Sequence, residues 1–404
     1  MGTACTSAAS TQGARRRIPR RAIALVSATP FSFFNVPTMP DLSSITLRRA
    51  PSWAVSLPEE LQTPCFIVSE RGIVDNLHAT ARACGGVERL MPHVKTHRAG
   101  WIVERLIREG VRAFKAATVA EVAMVLEAGA KHVVWAYPTV NRAHIRTLLA
   151  LAHANPDARI DALVDSAAGV AAWRRATNGA PLTNLALLID LDAGMGRTGA
   201  PIAAATLHLA RELATIGCFG GWHVYDGHIH DLDSAARRTR VAAIVEKVAA
   251  LTCAADAEGL STRLIAGGSY TFDLWPRTLA DFVSPGSWTY SSAQHDLELP
   301  ALSWTPSAYV LATVISRNST TATLDAGSKA ISPDKPLAER FRWDGKIVMM
   351  SEEHVVVENT DLAVGDRVML LPCHACTTAY LYPSAMVLNT EGSWEVREQL
   401  GSRR

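Results

Sequence analysis

The chain has 404 residues, which is enough for one large domain and a smaller second domain. Its net charge of +2 indicates no nucleic-acid partner, and its 48% hydrophobic and 19% charged residues are ordinary for a globular protein. The seven cysteines are scattered and odd in number, which argues against a disulfide framework and for a reducing, cytoplasmic location. No apolar run reaches the length of about 18 residues that a membrane-spanning helix needs.

The first 50 residues differ from the rest of the chain. They carry five arginines between positions 15 and 21 and a single acidic residue, Asp41. A basic segment of this kind occurs in targeting signals, but Pro30 and polar residues interrupt the apolar stretch that follows. The composition therefore favours a disordered tail over residues 1–50, with a targeting segment as the alternative.

Short apolar runs then alternate with stretches whose apolar residues recur at helical spacing, up to about residue 286. The runs predict eight strands, at residues 89–93, 112–116, 132–137, 160–165, 186–191, 219–225, 263–266 and 281–284. Five of the stretches between them predict helices, at residues 98–109, 119–128, 142–154, 200–216 and 236–255. This α/β pattern predicts a (β/α)8 TIM barrel over residues 60–300. A doubly wound sheet is less favoured, because no glycine-rich turn follows the first strand.

After residue 301 the pattern changes to alternating apolar and polar residues with few helical stretches, which predicts a mostly β second domain over residues 301–404. Its strands are predicted at residues 308–315, 321–324, 346–350, 354–357, 367–371 and 386–388. The segment 63–69, ahead of the barrel, is expected either to pair with this domain or to lead into the first barrel helix.

The segment 92–97 is the most informative part of the sequence. Lys95 follows the first predicted strand, and catalytic groups of a barrel stand at the C-terminal ends of its strands. Burial there would lower the pKa of the lysine and make its neutral amine a nucleophile, typically for the aldehyde of pyridoxal 5′-phosphate (PLP). His97 is a second titratable group beside it. We predict both as catalytic residues, with a surface lysine in a loop as the alternative.

Other strand ends carry polar and glycine residues at the same predicted face. Arg197 lies among glycines and is predicted to contact the cofactor or a substrate carboxylate, although an ordinary loop arginine would look the same. Tyr225 ends the sixth strand and is predicted to contact the cofactor. A loop after the seventh strand is predicted to hold a phosphate through backbone N–H groups, with a plain turn as the alternative. Its residues are Gly267, Gly268 and Ser269.

His374 and Cys376 lie two positions apart in the second domain. On a strand such residues face the same way, and an imidazole with a thiolate is a donor set that zinc prefers. Two protein ligands would leave coordination positions open for water or substrate. The alternative is a buried histidine and cysteine without a metal. His354, in the polar segment 351–354, either lines the same site or caps a turn.

Taken together, these motifs resemble those of the D-threonine aldolase and D-serine dehydratase-like enzymes, which are PLP enzymes of the alanine-racemase fold (fold type III). The matching segments occur in the family's order: PHVKTH at 92–97, YDGH at 225–228, AGGSYTF at 266–272, DAGSKA at 325–330, SEEH at 351–354 and HAC at 374–376. The resemblance covers about residues 60–395.

The resemblance implies roles for the residues singled out above. Lys95 would carry PLP, the 267–269 loop would hold its phosphate, and His374 with Cys376 would bind a divalent metal. Zinc is expected first, with manganese and magnesium as alternatives, because a cysteine at this position resembles the zinc-dependent dehydratase branch. The resemblance also implies a homodimer in which each site lies between one barrel and the partner's β domain.

The expected activity is a lyase reaction on a D-3-hydroxy amino acid. Two outcomes stay open: retro-aldol cleavage to glycine and an aldehyde, or elimination to an α-keto acid and ammonia. A metal that binds the β-hydroxyl would serve either reaction. A racemase of the same fold is one alternative, but it leaves His374 and Cys376 without a role. A PLP-binding protein without turnover is another, but it does not account for the full β domain.

Overall fold

The structure, a computed structural model, describes residues 47–54, 56–180, 183–358 and 361–404. These lie in one compact unit, Ile45–Arg404. The predicted tail at residues 1–50 falls outside the described residues as far as residue 46. Within the described ranges, no helix combines the length and the apolar composition needed to cross a membrane.

A sheet of parallel strands forms the barrel, and two short strands precede it, β1 (Leu47–Arg48) and β2 (Cys65–Ser69). The barrel strands pair in chain order, except that β7 pairs only with the end of β6. They are β3 (Phe114–Ala116), β4 (His132–Trp135), β5 (Arg159–Val164), β6 (Leu185–Asp192), β7 (Ala200–Pro201), β8 (Phe219–Tyr225), β9 (Leu264–Ala266) and β10 (Phe282–Val283).

The first predicted strand closes the barrel through isolated bridges rather than a regular ladder. Leu90 pairs with Val283 of β10, and His93 pairs with Lys115 of β3, both in parallel. Pro92 lies between the two bridges and has no N–H to donate, which limits the ladder at this point. The segment nevertheless occupies the gap between β10 and β3, so the predicted (β/α)8 barrel is confirmed.

Helices surround the barrel strands, and most of them lie where the sequence predicts. They are α1 (Glu70–Cys84), α2 (Gly100–Arg108), α3 (Val119–Glu127), α4 (Arg142–Ala154), α5 (Ala167–Ala176), α6 (Leu207–Thr215), α7 (Ser234–Asp256), α8 (Ala293–Glu298) and α9 (Ala375–Ala379). The prediction missed α1, α5, α8 and α9. It is wrong over the first half of 200–216, because Gly199 has a φ of +114° and packs tightly against β6: a Cβ there would lie 2.4 Å from the Asp192 nitrogen.

An apolar layer fills the inside of the barrel. The closing segment, the residue before β3 and the strands β4, β5, β6 and β9 contribute side chains that are at most 1% exposed: Met91, Ala113, Val134, Leu163, Leu188 and Ile265. The barrel is therefore a packed core and not a pore, and polar groups are confined to its two ends.

The second part of the chain is mostly β, as predicted. Its strands are β11 (Ala308–Arg317), β12 (Thr321–Leu324), β13 (Ile347–Met350), β14 (Val355–Glu358), β15 (Arg367–Leu370), β16 (Ser384–Leu388) and β17 (Trp394–Glu398). The sheet order is β13-β14-β12-β11-β2-β16-β17, with β15 and β1 joined to it at β11. The prediction missed β17, whose charged residues and 66%-exposed Val396 give no clear buried face.

Strand β2 ties the start of the barrel to this β sheet. Val68 pairs antiparallel with Ala308 of β11, and Val387 of β16 pairs with the same Val68 in parallel. The chain then enters α1 directly, and the Ser69 hydroxyl caps that helix by accepting the Gly72 N–H at 3.1 Å. The segment 63–69 therefore fulfils both expectations: it pairs with the β sheet, and it leads into the first helix.

Arg98 joins three separate parts of the chain just after the lysine segment. Its guanidinium pairs with Glu121, which is fully buried, and its Nε donates to the Gly401 carbonyl at 2.9 Å. The other oxygen of Glu121 accepts the Ala117 N–H at 2.6 Å. The loop after Lys95, the start of α3 and the C-terminal residues are thereby held together.

Replacing Arg98 by methionine is expected to lower the free energy of unfolding by about 3–5 kcal/mol, because it leaves Glu121 as an unpaired buried charge. Urea unfolding measures this difference. Arg71→Met is the control, since Arg71 pairs with Asp75 on an exposed helix surface. There the loss of unfolding free energy should be about 0.5 kcal/mol. A loss at Arg98 no larger than the loss at Arg71 would contradict the proposed clamp.

Candidate active site

Lys95 stands at the mouth of the barrel, directly after the closing segment. It lies in a 3₁₀ turn, Val94–Thr96, and its N–H donates to Nδ1 of His93 at 3.4 Å. Lys95 is exposed. The predicted burial of Lys95 is therefore wrong, although its predicted place at the strand end is confirmed.

The buried lysine of the mouth is Lys115, on β3. It is 2% exposed, and its Nζ donates to the Ser284 hydroxyl at 3.0 Å. Burial, together with the nearby charge of Lys95, lowers the pKa of Lys115 to about 7. The burial that the sequence suggested for Lys95 is thus found at Lys115.

Tyr225 is the point around which the cations of the mouth gather. The centre of its ring lies 5.7 Å from Nζ of Lys95, 5.4 Å from Nζ of Lys115 and 5.0 Å from Cζ of Arg197. The structure therefore brings the predicted cofactor contacts Arg197 and Tyr225 together with Lys95.

Two small cavities open on either side of Lys95, His93 and Tyr225. The first, of about 110 Å³, is lined by the 268–271 loop and by Gly286 and Ser287. The second, of about 40 Å³, is lined by Lys115, Arg197, Asp190 and His223 among others. A larger apolar cavity of about 440 Å³ lies between α3 and α4, but Lys95 does not line it.

Gly268 and Ser269 of the predicted phosphate loop line the first cavity. The Ser269 hydroxyl accepts the Ser287 N–H at 3.1 Å, which brings the loops after β9 and β10 together around the first cavity. A Cβ on Gly268 would lie 3.0 Å from the Tyr225 ring, so glycine keeps this wall open. Glycine and serine residues form much of the lining, which leaves room for a phosphate group, and phosphate binding by this loop stays a prediction.

Asp226 supports that loop from below. Its two carboxylate oxygens accept the Thr271 hydroxyl at 2.6 Å and Nε1 of Trp275 at 2.9 Å. The Thr271 hydroxyl in turn accepts the Gly268 N–H at 3.0 Å. Burial raises the pKa of Asp226, although these hydrogen bonds oppose the shift. The second residue of the YDGH motif therefore holds the loop in place.

His223 and Asp190 form a buried pair at the second cavity. Nδ1 of His223 lies 2.6 Å from the Asp190 carboxylate, whose other oxygen accepts the Thr198 hydroxyl at 2.8 Å. Burial and the charge of Lys115 lower the pKa of His223, and Asp190 only partly opposes them. Nε2 of His223 is buried and has no hydrogen-bond partner among the described residues. Such an atom is expected where a bound ligand completes the site.

His374 and Cys376 reach the same mouth from the β part of the chain. The Cys376 thiol donates to the Thr96 hydroxyl at 3.3 Å, next to Lys95. The predicted strand for this pair is wrong: His374 is the N-cap of α9, and Cys376 lies within that helix. The resemblance implied that a partner's β domain would complete the site, yet one chain already brings this pair to its own lysine segment.

The imidazole and the thiol of this pair polarise each other. Burial alone would raise the pKa of the Cys376 thiol, but the interactions with His374, Thr96 and Lys95 lower it below its usual value. Burial lowers the pKa of His374, but Cys376 and Asp334 outweigh that effect and raise it to about 9. A thiolate is the form of cysteine that binds metals. No group of three or more histidine, cysteine or acidic residues in the described ranges is arranged to hold a metal, so this pair is a two-ligand candidate.

His97 is placed less favourably for catalysis. Its ring is buried, Nδ1 accepts the Ala99 N–H at 3.1 Å, and burial lowers its pKa to about 3. It lines neither of the two cavities. The catalytic role of His97 therefore stays a prediction.

The DAGSKA and SEEH segments pack against each other, and Lys329 of the first forms ion pairs with Glu352 and Glu353 of the second. His354 is exposed and ends a turn in which the Ser351 N–H donates to its carbonyl at 2.9 Å, so it caps a turn. The neighbouring loop packs closely on this turn, because a Cβ on Gly327 would lie 2.3 Å from the Glu352 carbonyl oxygen. Only glycine permits that approach.

Sequence reasoning missed three residues of the mouth: Lys115, Asp190 and His223. A common signal could have found them, because each is an ionisable residue flanked by apolar neighbours within a barrel strand. Buried charged groups in such positions are rare unless they are paired or functional.

Comparison with known families shows to which family the chain belongs. The model described as "Alanine racemase, N-terminal domain" matches residues 68–294, which is more than half of the chain. The chain belongs to this family. A second model, described as "Putative serine dehydratase domain", matches residues 307–388. The family predicted from the motifs is thereby confirmed.

Among curated proteins, the chain is similar to the 3-hydroxy-D-aspartate aldolase of Paracoccus denitrificans (strain Pd 1222). The two are 30% identical over 217 residues, which cover 50% of this chain and 56% of that protein. The match thus spans little more than half the length of this relative.

Two solved structures share the fold. The D-threonine aldolase from Filomicrobium marinum has a TM-score of 0.77 at 23% identity, covering 85% of this chain and 96% of that one. The D-threo-3-hydroxyaspartate dehydratase from Delftia sp. HT23 has a TM-score of 0.71 at 22% identity, covering 85% and 98%. A cysteine-to-alanine variant of a dehydratase with that name, solved in a metal-free form, has the same TM-score and identity.

The buried amine of Lys115 predicts a specific pH dependence of stability. Its pKa is about 7 in the folded protein against 10.5 ordinarily, so between these values unfolding takes up a proton and stability rises with pH. Lys115→Met should remove this rise. Urea unfolding of the cofactor-free protein at several values between about pH 7 and about pH 9 measures it.

The exposed Lys131 offers the matched control, and Lys131→Met should keep the pH dependence of the unchanged protein. If Lys115→Met kept the same rise as Lys131→Met, the lowered pKa of Lys115 would be refuted.

Proposed function

We propose that this protein is a PLP- and divalent-metal-dependent lyase that acts on D-3-hydroxy amino acids. One observation carries the proposal: the lysine segment and the histidine–cysteine pair, 280 positions apart in sequence, meet at the Thr96–Cys376 contact. This contact supports a proposal in which a nucleophilic amine and a two-ligand metal site act on the same substrate. The names of the similar proteins, two aldolases and a dehydratase, support the same class of reaction.

The residues of the mouth fit PLP. Lys95 would hold it covalently, the 267–269 loop with Ser287 would bind its phosphate, and Arg197 and Tyr225 would contact it. PLP, when bound, supplies the electron sink for charge that develops at the substrate Cα. Lys95 Nζ is exposed at the mouth and is the amine placed to accept a proton from Cα in the elimination reaction.

The histidine–cysteine pair fits a divalent metal, and its N and S donors favour zinc over manganese or magnesium. Such an ion supplies a Lewis acid for the β-hydroxyl group of the substrate. Support comes from the similar dehydratase, whose cysteine-to-alanine variant was solved in a metal-free form. His374 and Cys376 would orient the substrate by holding its hydroxyl side, while the cations around Tyr225 attract its carboxylate.

Between the two reactions we favour retro-aldol cleavage, because both the curated relative and the first of the solved structures above are named as aldolases. Elimination is the second candidate, since the dehydratase shares the fold at nearly the same TM-score. The homodimer implied by the resemblance stays a prediction.

The role of Lys95 can be tested by trapping. Borohydride reduction of the purified protein should fix PLP on Lys95, as located by mass spectrometry, because Lys95 is the exposed amine between the two cavities. Lys95→Ala should lose both the trapped product and the visible absorption band. Lys115→Ala is the matched control and should keep the label on Lys95. A label on Lys115 in the unchanged protein would contradict the assignment.

The role of the metal pair can be tested by chelation. A chelator should lower turnover of D-threonine or 3-hydroxy-D-aspartate by roughly 100-fold or more while leaving the visible band intact, because a Lewis acid supplies several kcal/mol of stabilisation. Added zinc should restore turnover. Cys376→Ala should behave like the chelated enzyme, whereas Cys373→Ala, three positions away, should not.

Product analysis in the same assay separates the two reactions. Glycine with an aldehyde indicates the aldolase, and an α-keto acid with ammonia indicates the dehydratase. Full turnover after complete removal of metal would refute the proposed metal dependence.

A further inference from the structure

We propose that Asp334 is a positioning residue for the metal site: it holds the His374 imidazole so that Nε2 is the atom offered to the metal. The inference rests on the proposed function, because it concerns the ion that His374 and Cys376 would bind. It adds a residue 40 positions upstream, outside every motif that the sequence singled out.

The contact itself is direct. Nδ1 of His374 donates to Oδ2 of Asp334. A metal binds the neutral imidazole, which has one N–H and one free lone pair, so a proton held on Nδ1 would leave the lone pair on Nε2 for the metal. Histidine ligands of metals commonly donate their second ring nitrogen to a carboxylate in this way, which fixes both the tautomer and the ring orientation.

The Asp334 carboxylate is itself held on both oxygens. Oδ1 accepts the Ser332 hydroxyl at 2.8 Å, and Oδ2 also accepts the Thr377 hydroxyl at 3.2 Å. One of these donors belongs to the loop of Asp334 and the other to α9. The carboxylate therefore has a fixed place relative to the helix that carries Cys376.

The backbones on the two sides are locked together as well. The Thr378 hydroxyl donates to the His374 carbonyl at 3.0 Å and accepts the Ser332 N–H at 3.3 Å. Thr378 is fully buried. Since one buried hydroxyl joins both segments, the separation of Asp334 and His374 does not depend on flexible side chains alone.

An ordinary surface ion pair does not need such an arrangement. The side chains of His374 and Asp334 are 32% and 36% exposed, and a pair with that exposure adds only about 0–1 kcal/mol to stability. Three hydrogen bonds nevertheless converge on one carboxylate. The arrangement is better suited to orienting the imidazole than to stabilising the fold, so the effect of Asp334 should appear in metal binding.

The experiment measures zinc affinity by competition with a coloured chelator, using the full-length, PLP-loaded protein. Asp334→Asn should weaken zinc binding by about 10–100-fold, the usual effect of removing a carboxylate behind a histidine ligand. The visible band of PLP and the thermal midpoint of the zinc-free protein should stay unchanged. Asp296→Asn is the matched control, because Asp296 has 37% side-chain exposure and a single ion pair with Arg342. It should bind zinc like the unchanged protein.

The outcomes separate this inference from the proposed function. Zinc binding by the unchanged protein with the same affinity in Asp334→Asn would overturn the inference alone. A loss as complete as in His374→Ala would overturn it too, because Asp334 would then be a ligand rather than a positioning residue. If the unchanged protein bound no zinc or other divalent ion, the metal-dependent function itself would fail.

Discussion

The position of Lys95 depends on how the barrel closes. The closing segment has only two bridges, one from Leu90 to Val283 and one from His93 to Lys115. Because these bridges lie on opposite sides, the end of the segment is fixed between the last and the first regular barrel strands. The turn after it can then project Lys95 into the mouth without moving the strand. The ion pair of Arg98 fixes the chain on the other side of the turn, so a flexible, exposed side chain stands on a rigid backbone.

The two lysines of the mouth differ in burial: Lys95 is exposed and Lys115 is buried. Two ammonium groups around one tyrosine ring repel each other, and the repulsion adds to the cost of burying a charge. The effect is found at Lys115, whose pKa is lowered by burial and by Lys95. Its Nζ donates a hydrogen bond to the Ser284 hydroxyl. Lys95 keeps the exposed place, where its side chain is free to reach a ligand. The amine of Lys95 is therefore accessible, whereas the amine of Lys115 is held in place by its hydrogen bond and by burial.

Sequence patterns predicted what depends on local periodicity and strand order. The bounds of β5, β8 and α4 were predicted within one or two residues, and Lys95, Arg197, Tyr225 and the phosphate loop were predicted on one face because strand ends share it. Periodicity does not tell which residue in a turn is buried, so Lys95 was expected to be buried although it is exposed, and the buried Lys115 of β3 was missed. It also failed at Cys376, because the chain bends into a helix just after His374, where a spacing of two residues was read as a strand. The pairing of His374 with Asp334 links residues 40 positions apart and depends on how two loops pack, which no local pattern encodes.

The contact between the lysine segment and Cys376 within one chain follows from the path of the backbone. The chain passes through the β sheet in β2 before it enters the barrel, and it returns to the same sheet in β11 after leaving it. Because Val68 and Ala308 pair side by side, the entry and the exit of the barrel are fixed to each other by hydrogen bonds and not by a linker. The sheet that carries α9 therefore cannot shift relative to the barrel mouth without breaking this pairing. The distance between Thr96 and Cys376 is in this way set by strand register, which is rigid, rather than by the 280 residues of chain between them.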